Sequence, residues 1–158
     1  MNTARQFIAV AAALVAGSGL SFAQSSSTTA TTAEGSTAPY TEGSVWQLTM
    51  IKTKPGMTDD YLKGLSKSLK ASLEEGKKQG FIVSYKILLG EASSPHDYNV
   101  MTMVEYKNMA TLDNLRAKTD PIAQKTIGGE DQQREAAVKR AEIREIIGGK
   151  LMREITLK

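Results

Sequence analysis

The feature that most restricts how this chain can fold is the change in apolar spacing along residues 45–157. Across 45–53, Trp46, Leu48 and Met50 alternate with Gln47 and Thr49, the period of two that belongs to a strand. Lys54-Pro55-Gly56 ends it. Thr58 is placed to cap a helix, Asp59 and Asp60 suit its positive first turn, and Leu62, Leu65, Leu69 and Leu73 return every three or four residues along one face. Gly76 to Gly80 stops that helix. Strands are predicted over 81–89 and 98–106, joined by a loop with Gly90, Ser93, Ser94 and Pro95 whose length suits a hairpin. Asn108 then caps a helical region carrying Met109, Leu112 and Leu115, which Asp120-Pro121 ends or kinks and Gly128-Gly129 breaks again. Glu130 and Asp131 open a further helix, in which Glu130 with Arg134 and Glu135 with Lys139 are spaced for surface pairs and Ile143, Ile146 and Ile147 supply the apolar end. Gly148-Gly149 terminates it, and Leu151, Arg153, Ile155 and Leu157 alternate as a closing strand.

The resulting order, βαββαβ with the second helical region in pieces, is that of an α+β protein: a four-stranded antiparallel sheet with helices on one face only. Apolar residues on the two hairpin strands must oppose one another if one face is to be buried. Pairing Tyr85 with Thr102, Ile87 with Val100, Val83 with Val104 and Phe81 with Tyr106 satisfies this. The other face then carries Ile82, Ser84, Lys86 and Leu88 with Met101, Met103 and Glu105. Taking the less apolar parity of each remaining strand adds Gln47, Thr49, Ile51, Met152 and Glu154. Left in water, such a face exposes an apolar patch of at least several hundred Å², the kind that marks a contact site. A homodimer with sheets packed face to face is therefore expected, with Gln47, Thr49, Ser84, Lys86, Met101, Met103 and Glu105 lining the dimer face or a pocket in it. Lys86 and Glu105 share that face without standing opposite each other, so a bridge between them inside one protomer would be diagonal.

The chain has 158 residues, 20 Lys+Arg, 17 Asp+Glu, one His and no Cys. These numbers exclude a disulfide framework, a thiolate nucleophile, a cysteine zinc site and a histidine metal cluster. The net charge of +3 is small and its basic residues are interspersed with acidic ones, so there is no nucleic-acid footprint. Walker A, dinucleotide, HExxH and calcium-loop patterns are missing as well, and neither metal nor cofactor is expected.

Arg5 precedes an unbroken apolar run over residues 7–16, and Ser21-Phe22-Ala23 places small residues where a signal peptidase reads them. Residues 1–23 thus read as a cleavable signal, cut near Ala23. The run is interrupted by Gly17, Ser18 and Gly19, well short of the roughly 20 apolar residues a spanning helix needs, so no stable membrane anchor is expected and the mature protein should be secreted or periplasmic. Residues 24–44 are rich in Ser and Thr and lack any aliphatic side chain larger than Ala. Such a segment buries too little to offset its ordering entropy, which makes it a disordered linker to a domain over 45–158.

The strand followed by Lys54-Pro55-Gly56, the helix with Asp60-Tyr61 near its start, the hairpin, the broken helical region and the closing strand together resemble the dimeric α/β barrel superfamily, with NIPSNAP-like and antibiotic biosynthesis monooxygenase-like groups nearest. The resemblance implies a ferredoxin-like protomer, dimerisation through the sheet, and often a pocket between sheet and helices. It carries no active site to particular residues.

The candidate chemical groups are few. His96, beside Asp97 in the hairpin loop, is the one imidazole and needs a serine from elsewhere to complete a triad. Trp46 can stack on a flat ligand, and Tyr85 offers a phenol to an oxygenated substrate. The fold and these residues are compatible with a small-molecule binding or accessory module, its ligand apolar or aromatic. Two alternatives remain open at this point: a cofactor-independent oxygenase using Trp46, His96 or Tyr85 on an aromatic or quinol-type substrate, and a purely structural interaction protein.

Overall fold

The computed structural model describes residues 37–158; the predicted signal and the linker as far as residue 36 lie outside the described residues. The chain runs through strand β1 (Tyr40–Thr53), helices α1 (Thr58–Lys67) and α2 (Leu69–Lys78), strands β2 (Ser84–Leu89) and β3 (Val100–Tyr106), a 3-10 turn (Met109–Leu112), helices α3 (Leu115–Thr126) and α4 (Glu130–Ile143), and strand β4 (Arg144–Leu157). All neighbouring strands are antiparallel in the order β2-β3-β1-β4. This is the ferredoxin-like α+β topology, with the second helical region broken.

The helices lie over one face of the sheet. Val45 and Ile51 of β1 and Val100 and Tyr106 of β3 are buried there, and all but Val45 belong to two clusters. One joins Ile51 and Val100 to Tyr61 and Leu65 of α1. The other joins Tyr106 to Leu73 of α2, Phe81, Ile82 and Ile122 of α3. Tyr61, Leu65, Leu69 and Leu73 form the stripe along α1 and α2. The two helices are one run interrupted at Ser68, whose Oγ and backbone N both bond the Gly64 carbonyl, at 3.0 and 3.1 Å. A side-chain hydroxyl that competes for the i−4 carbonyl bends a helix in this way.

Asn99 ties three elements together. Its Oδ1 accepts from the Thr53 backbone N at 2.9 Å, and its Nδ2 donates to Thr53 Oγ1 at 2.8 Å and Thr58 Oγ1 at 3.3 Å. Thr58 is therefore the first residue of α1, with Met57 at the cap position. Asn108 does cap, but it caps the 3-10 turn, its side chain accepting from Thr111 N at 3.0 Å.

Several expectations need correction. β1 begins at Tyr40, five residues ahead of the expected Val45, because Tyr40, Thr41 and Glu42 pair with Leu157, Thr156 and Ile155. The hairpin register is displaced by two residues: Tyr85 pairs with Val104 and Ile87 with Thr102. A slip of two leaves every side chain on its expected face, so apolar alternation alone does not discriminate between the two pairings. β2 starts at Ser84 because the backbone N–H groups of Phe81 and Ile82 bond Gly76 O, and both side chains plug the space beneath α2. The Gly76 position has no room for more: a Cβ there would meet Ile82 Cδ1 at 2.6 Å. Ile82 and Ile51 belong to the core and not to the open face.

Pro121 sits inside α3 without ending it. Gly148 and Gly149 lie within β4 beside a bulge, where Met50 pairs with Gly148 but Ile51 with Ile146; α4 stops instead at Ile143, whose carbonyl accepts from Lys54 N at 2.9 Å. Ile146 and Ile147 are strand residues. On α4, Glu135 pairs with Lys139 at 2.7 Å as expected, whereas Arg134 turns to Asp131 at 3.6 Å.

Candidate functional site

Two regions carry the chemistry: the sheet face that no helix covers, and a cavity beneath the helices. On the open face the register sets Trp46 between Glu105 and Met152, Leu48 between Met103 and Lys150, and Met50 between Met101 and Gly148. β2 adds Ser84 opposite Glu105, Lys86 opposite Met103 and Leu88 opposite Met101. Ser84, Lys86, Met101, Met103 and Glu105 thus share this face. Gln47 and Thr49 do not: they point to the helix side with Val45 and Ile51, and Tyr106 donates its phenol proton to Gln47 Oε1 at 3.1 Å. Gln47 satisfies a buried hydroxyl that would otherwise lack a partner. The large apolar residues of β1, read by alternation as the better core, are instead on the open side.

Trp46 anchors a polar group at one end of this face. Its Nε1 donates to Glu154 Oε2 at 3.1 Å, Ser44 Oγ donates to the same oxygen at 3.0 Å, and Lys86 Nζ lies 5.3 Å from the ring centroid. Ser84 Oγ donates to Glu105 Oε2. The hydrogen bonds from Trp46 and then Ser44 hold the Glu154 carboxyl below the ordinary glutamate range; burial opposes them, and the charge of Lys86 adds a lesser lowering. A carboxyl lowered in the folded state stabilises the fold above its unfolded pKa, and that contribution is lost as pH falls through its folded pKa. Glu74, Glu75 and Asp97 are lowered too. The melting temperature should therefore fall as the pH is brought below the ordinary carboxylate range, and Glu154→Gln should make that fall shallower; superimposable acid profiles for the two proteins would contradict the assignment.

The three residues with catalytic potential are not brought together. His96 is exposed in the hairpin loop, beside Lys52, Glu145 and Ile147. Trp46 stands towards the other end of β1. Tyr85 lies on the helix side, donating to Glu74 Oε1 at 2.7 Å; that bond, with burial and the carboxylate charge, raises the Tyr85 pKa, while the same bond lowers that of Glu74 against an opposing effect of burial. Among the described residues no group of His, Cys, Asp and Glu is arranged to hold a metal, and no helix is long and apolar enough to cross a membrane.

The cavity, of about 260 Å³, lies between the sheet and α1–α2 and is closed at one side by the junction of α4 with β4. Its polar lining is Thr49 and Thr102 from the sheet, Tyr61, Ser68 and Ser72 from the helices, and Arg140 and Arg144 from the junction. Ile51, Leu65, Leu69, Ile127 and Ile146 supply the apolar walls. The Arg144 guanidinium lies 5.5 Å from the Tyr61 ring centroid, and its buried Nε has no hydrogen-bond partner. Burial pushes the Tyr61 pKa up, with Arg144 and then Arg140 pulling the other way. Of the polar cavity residues only Thr49 was a candidate site residue in the sequence; Arg140 and Arg144 were not singled out. The available signal was Arg140 and Arg144 at i,i+4 with no acid four residues before either.

No family model matches the chain, and no curated protein matches it. Similar solved structures include HapK from Hahella chejuensis, at 10% identity over 70% of this chain and 91% of that one, TM-score 0.46. A nipsnap family protein of unknown function from Agrobacterium tumefaciens aligns at 11% identity over 73% and 89%, TM-score 0.45. A dimeric ferredoxin-like protein from an uncultured marine organism aligns at 12% identity over 75% and 98%, TM-score 0.46. The fold assignment itself rests on strand order, register and the side on which the helices pack, and on those grounds this chain is a ferredoxin-like α+β protein.

Proposed function

We propose that the chain acts as a secreted or periplasmic homodimer, joined through the open face of its sheet, that binds a small molecule and does no chemistry with His96, Trp46 or Tyr85. The observation that carries the dimer is the row of Trp46, Leu48, Met50, Met101, Met103 and Met152 on a face without a cover in the protomer. β1 and β4 each run 14 residues; with strand rise and spacing, the whole face is on the order of 600 Å². Two such faces together reach about 1,200 Å², the lower edge of a stable interface. The charges on it are mixed in sign, Lys86 and Lys150 against Glu105 and Glu154, so a second copy turned about a two-fold axis can oppose unlike charges. The signal pattern of residues 1–23 supports export, and the hydroxyl-lined cavity supports binding.

The chain has one Trp, and it is on this face. Its fluorescence should be blue-shifted and poorly quenched by acrylamide at high concentration, moving towards the red with increased quenching on dilution. Full quenching at every concentration would contradict the sheet-to-sheet dimer.

A further inference from the structure

We propose that the cavity beneath α1 and α2 takes a small monocarboxylate with an aromatic or branched apolar body, held by Arg144 and Arg140. This rests on the binding-module reading and names the ligand class of its cavity. Arg140, in the last turn of α4, and Arg144, the first residue of β4, both line the cavity. Among the described residues neither makes an ion pair, although acidic residues are placed along the same helix and are used by Arg134 and Lys139. Arg144 also carries the orphaned Nε, buried against Tyr61. A buried donor without an acceptor, on a cation without a counter-ion, is a costly arrangement that a ligand anion relieves.

The shape of that anion follows from the donors. A guanidinium presents parallel N–H groups in a planar fork that matches a carboxylate. Thr49 and Thr102 offer hydroxyls to polar substituents, Ser68 and Ser72 bond Gly64 O and Thr126 Oγ1, and Ile51, Leu65 and Ile127 face the body of the ligand. A volume of about 260 Å³ lies just below the roughly 300–1,000 Å³ of cavities for drug-sized ligands, which restricts the occupant to one ring or a short branched chain. Inorganic phosphate shares the charge but leaves the apolar walls uncovered.

Calorimetric titration of the full mature chain tests this with benzoate, benzyl alcohol and inorganic phosphate as probes. Benzoate should bind at least 10-fold more tightly than either of the others, and Arg144→Gln and Arg140→Gln should each weaken it by 10-fold or more. The selectivity of the unaltered protein requires no variant, so a misfolded Arg144→Gln protein does not spoil the test; Arg144→Lys, which keeps the charge but loses the fork, should recover only part of the affinity. Equal binding of benzoate and benzyl alcohol overturns the carboxylate assignment and leaves the binding-module reading standing. Phosphate binding as tightly as benzoate overturns the apolar-body assignment, and benzoate affinity unchanged in both glutamine variants overturns the role of the arginines. No binding of any probe overturns the carboxylate assignment, and failure of a wider panel of neutral apolar compounds to raise the melting temperature then removes the binding-module reading as well.

Discussion

Met103→Lys is expected to convert the dimer into a monomer, weakening association by about 100-fold or more. Met103 occupies the middle strand pair of the open face, between Lys86 on β2 and Leu48 on β1. In the isolated protomer a lysine there bends its stem along the sheet and places its ammonium in water, so the change should cost the fold no more than about 0.5 kcal/mol. In the dimer the same ammonium is enclosed by apolar side chains and Lys86, and an unpaired charge removed from water costs several kcal/mol. A two-fold interface imposes that cost twice. Sedimentation velocity across a concentration series reads the effect, and thermal melting confirms that the variant is folded. A variant that dimerises as tightly as the parent would show that this face is not the contact.

Ile51→Ala is expected to cost the fold about 3 kcal/mol, within the range for removing a large buried aliphatic side chain. Ile51 is 1% exposed and packs with Tyr61, Leu65 and Val100. It also lines the cavity, so its removal enlarges an existing space that the backbone of a central strand cannot close. The loss is a large share of the roughly 5–15 kcal/mol that holds a domain together, and corresponds to a fall in melting temperature of about 10–15 °C. Urea unfolding measures it directly. Leu48→Ala, three positions earlier but on the open face, provides the contrast, with a small effect on the monomer and a larger one on the dimer. Equal costs at the two positions in the monomer would contradict the placement of the helices.

These two residues also show how far the sequence could be read. The order of elements along the chain, the hairpin, the two helical regions and the sharing of one face by Ser84, Lys86, Met101, Met103 and Glu105 follow from periodicity, because side chains on a strand alternate whatever covers them. Periodicity does not say which face meets the helices. On β1 the bulkier set, Trp46, Leu48 and Met50, is on the open side, and the helix side holds Gln47 and Thr49 between Val45 and Ile51, with Thr53 beyond. The buried Thr53 is tolerated there because Asn99 bonds it, and the exposed Gln47 reaches in to accept from Tyr106, contacts made across the fold between residues distant in sequence. Phe81 and Ile82 look like strand residues but serve as a plug, since their backbone bonds go to Gly76. The cavity arginines were hidden for a related reason: α4 is charged around its surface, and only the packing of its last turn against Tyr61 separates Arg140 and Arg144 from its solvated charges.

Sedimentation equilibrium of residues 24–158 tests the central claim most directly. Twice the protomer mass at micromolar concentration, reduced to the protomer mass by Met103→Lys, is the predicted result. A protomer mass that persists to the highest concentrations reached, with the sheet face still wetted, would contradict it.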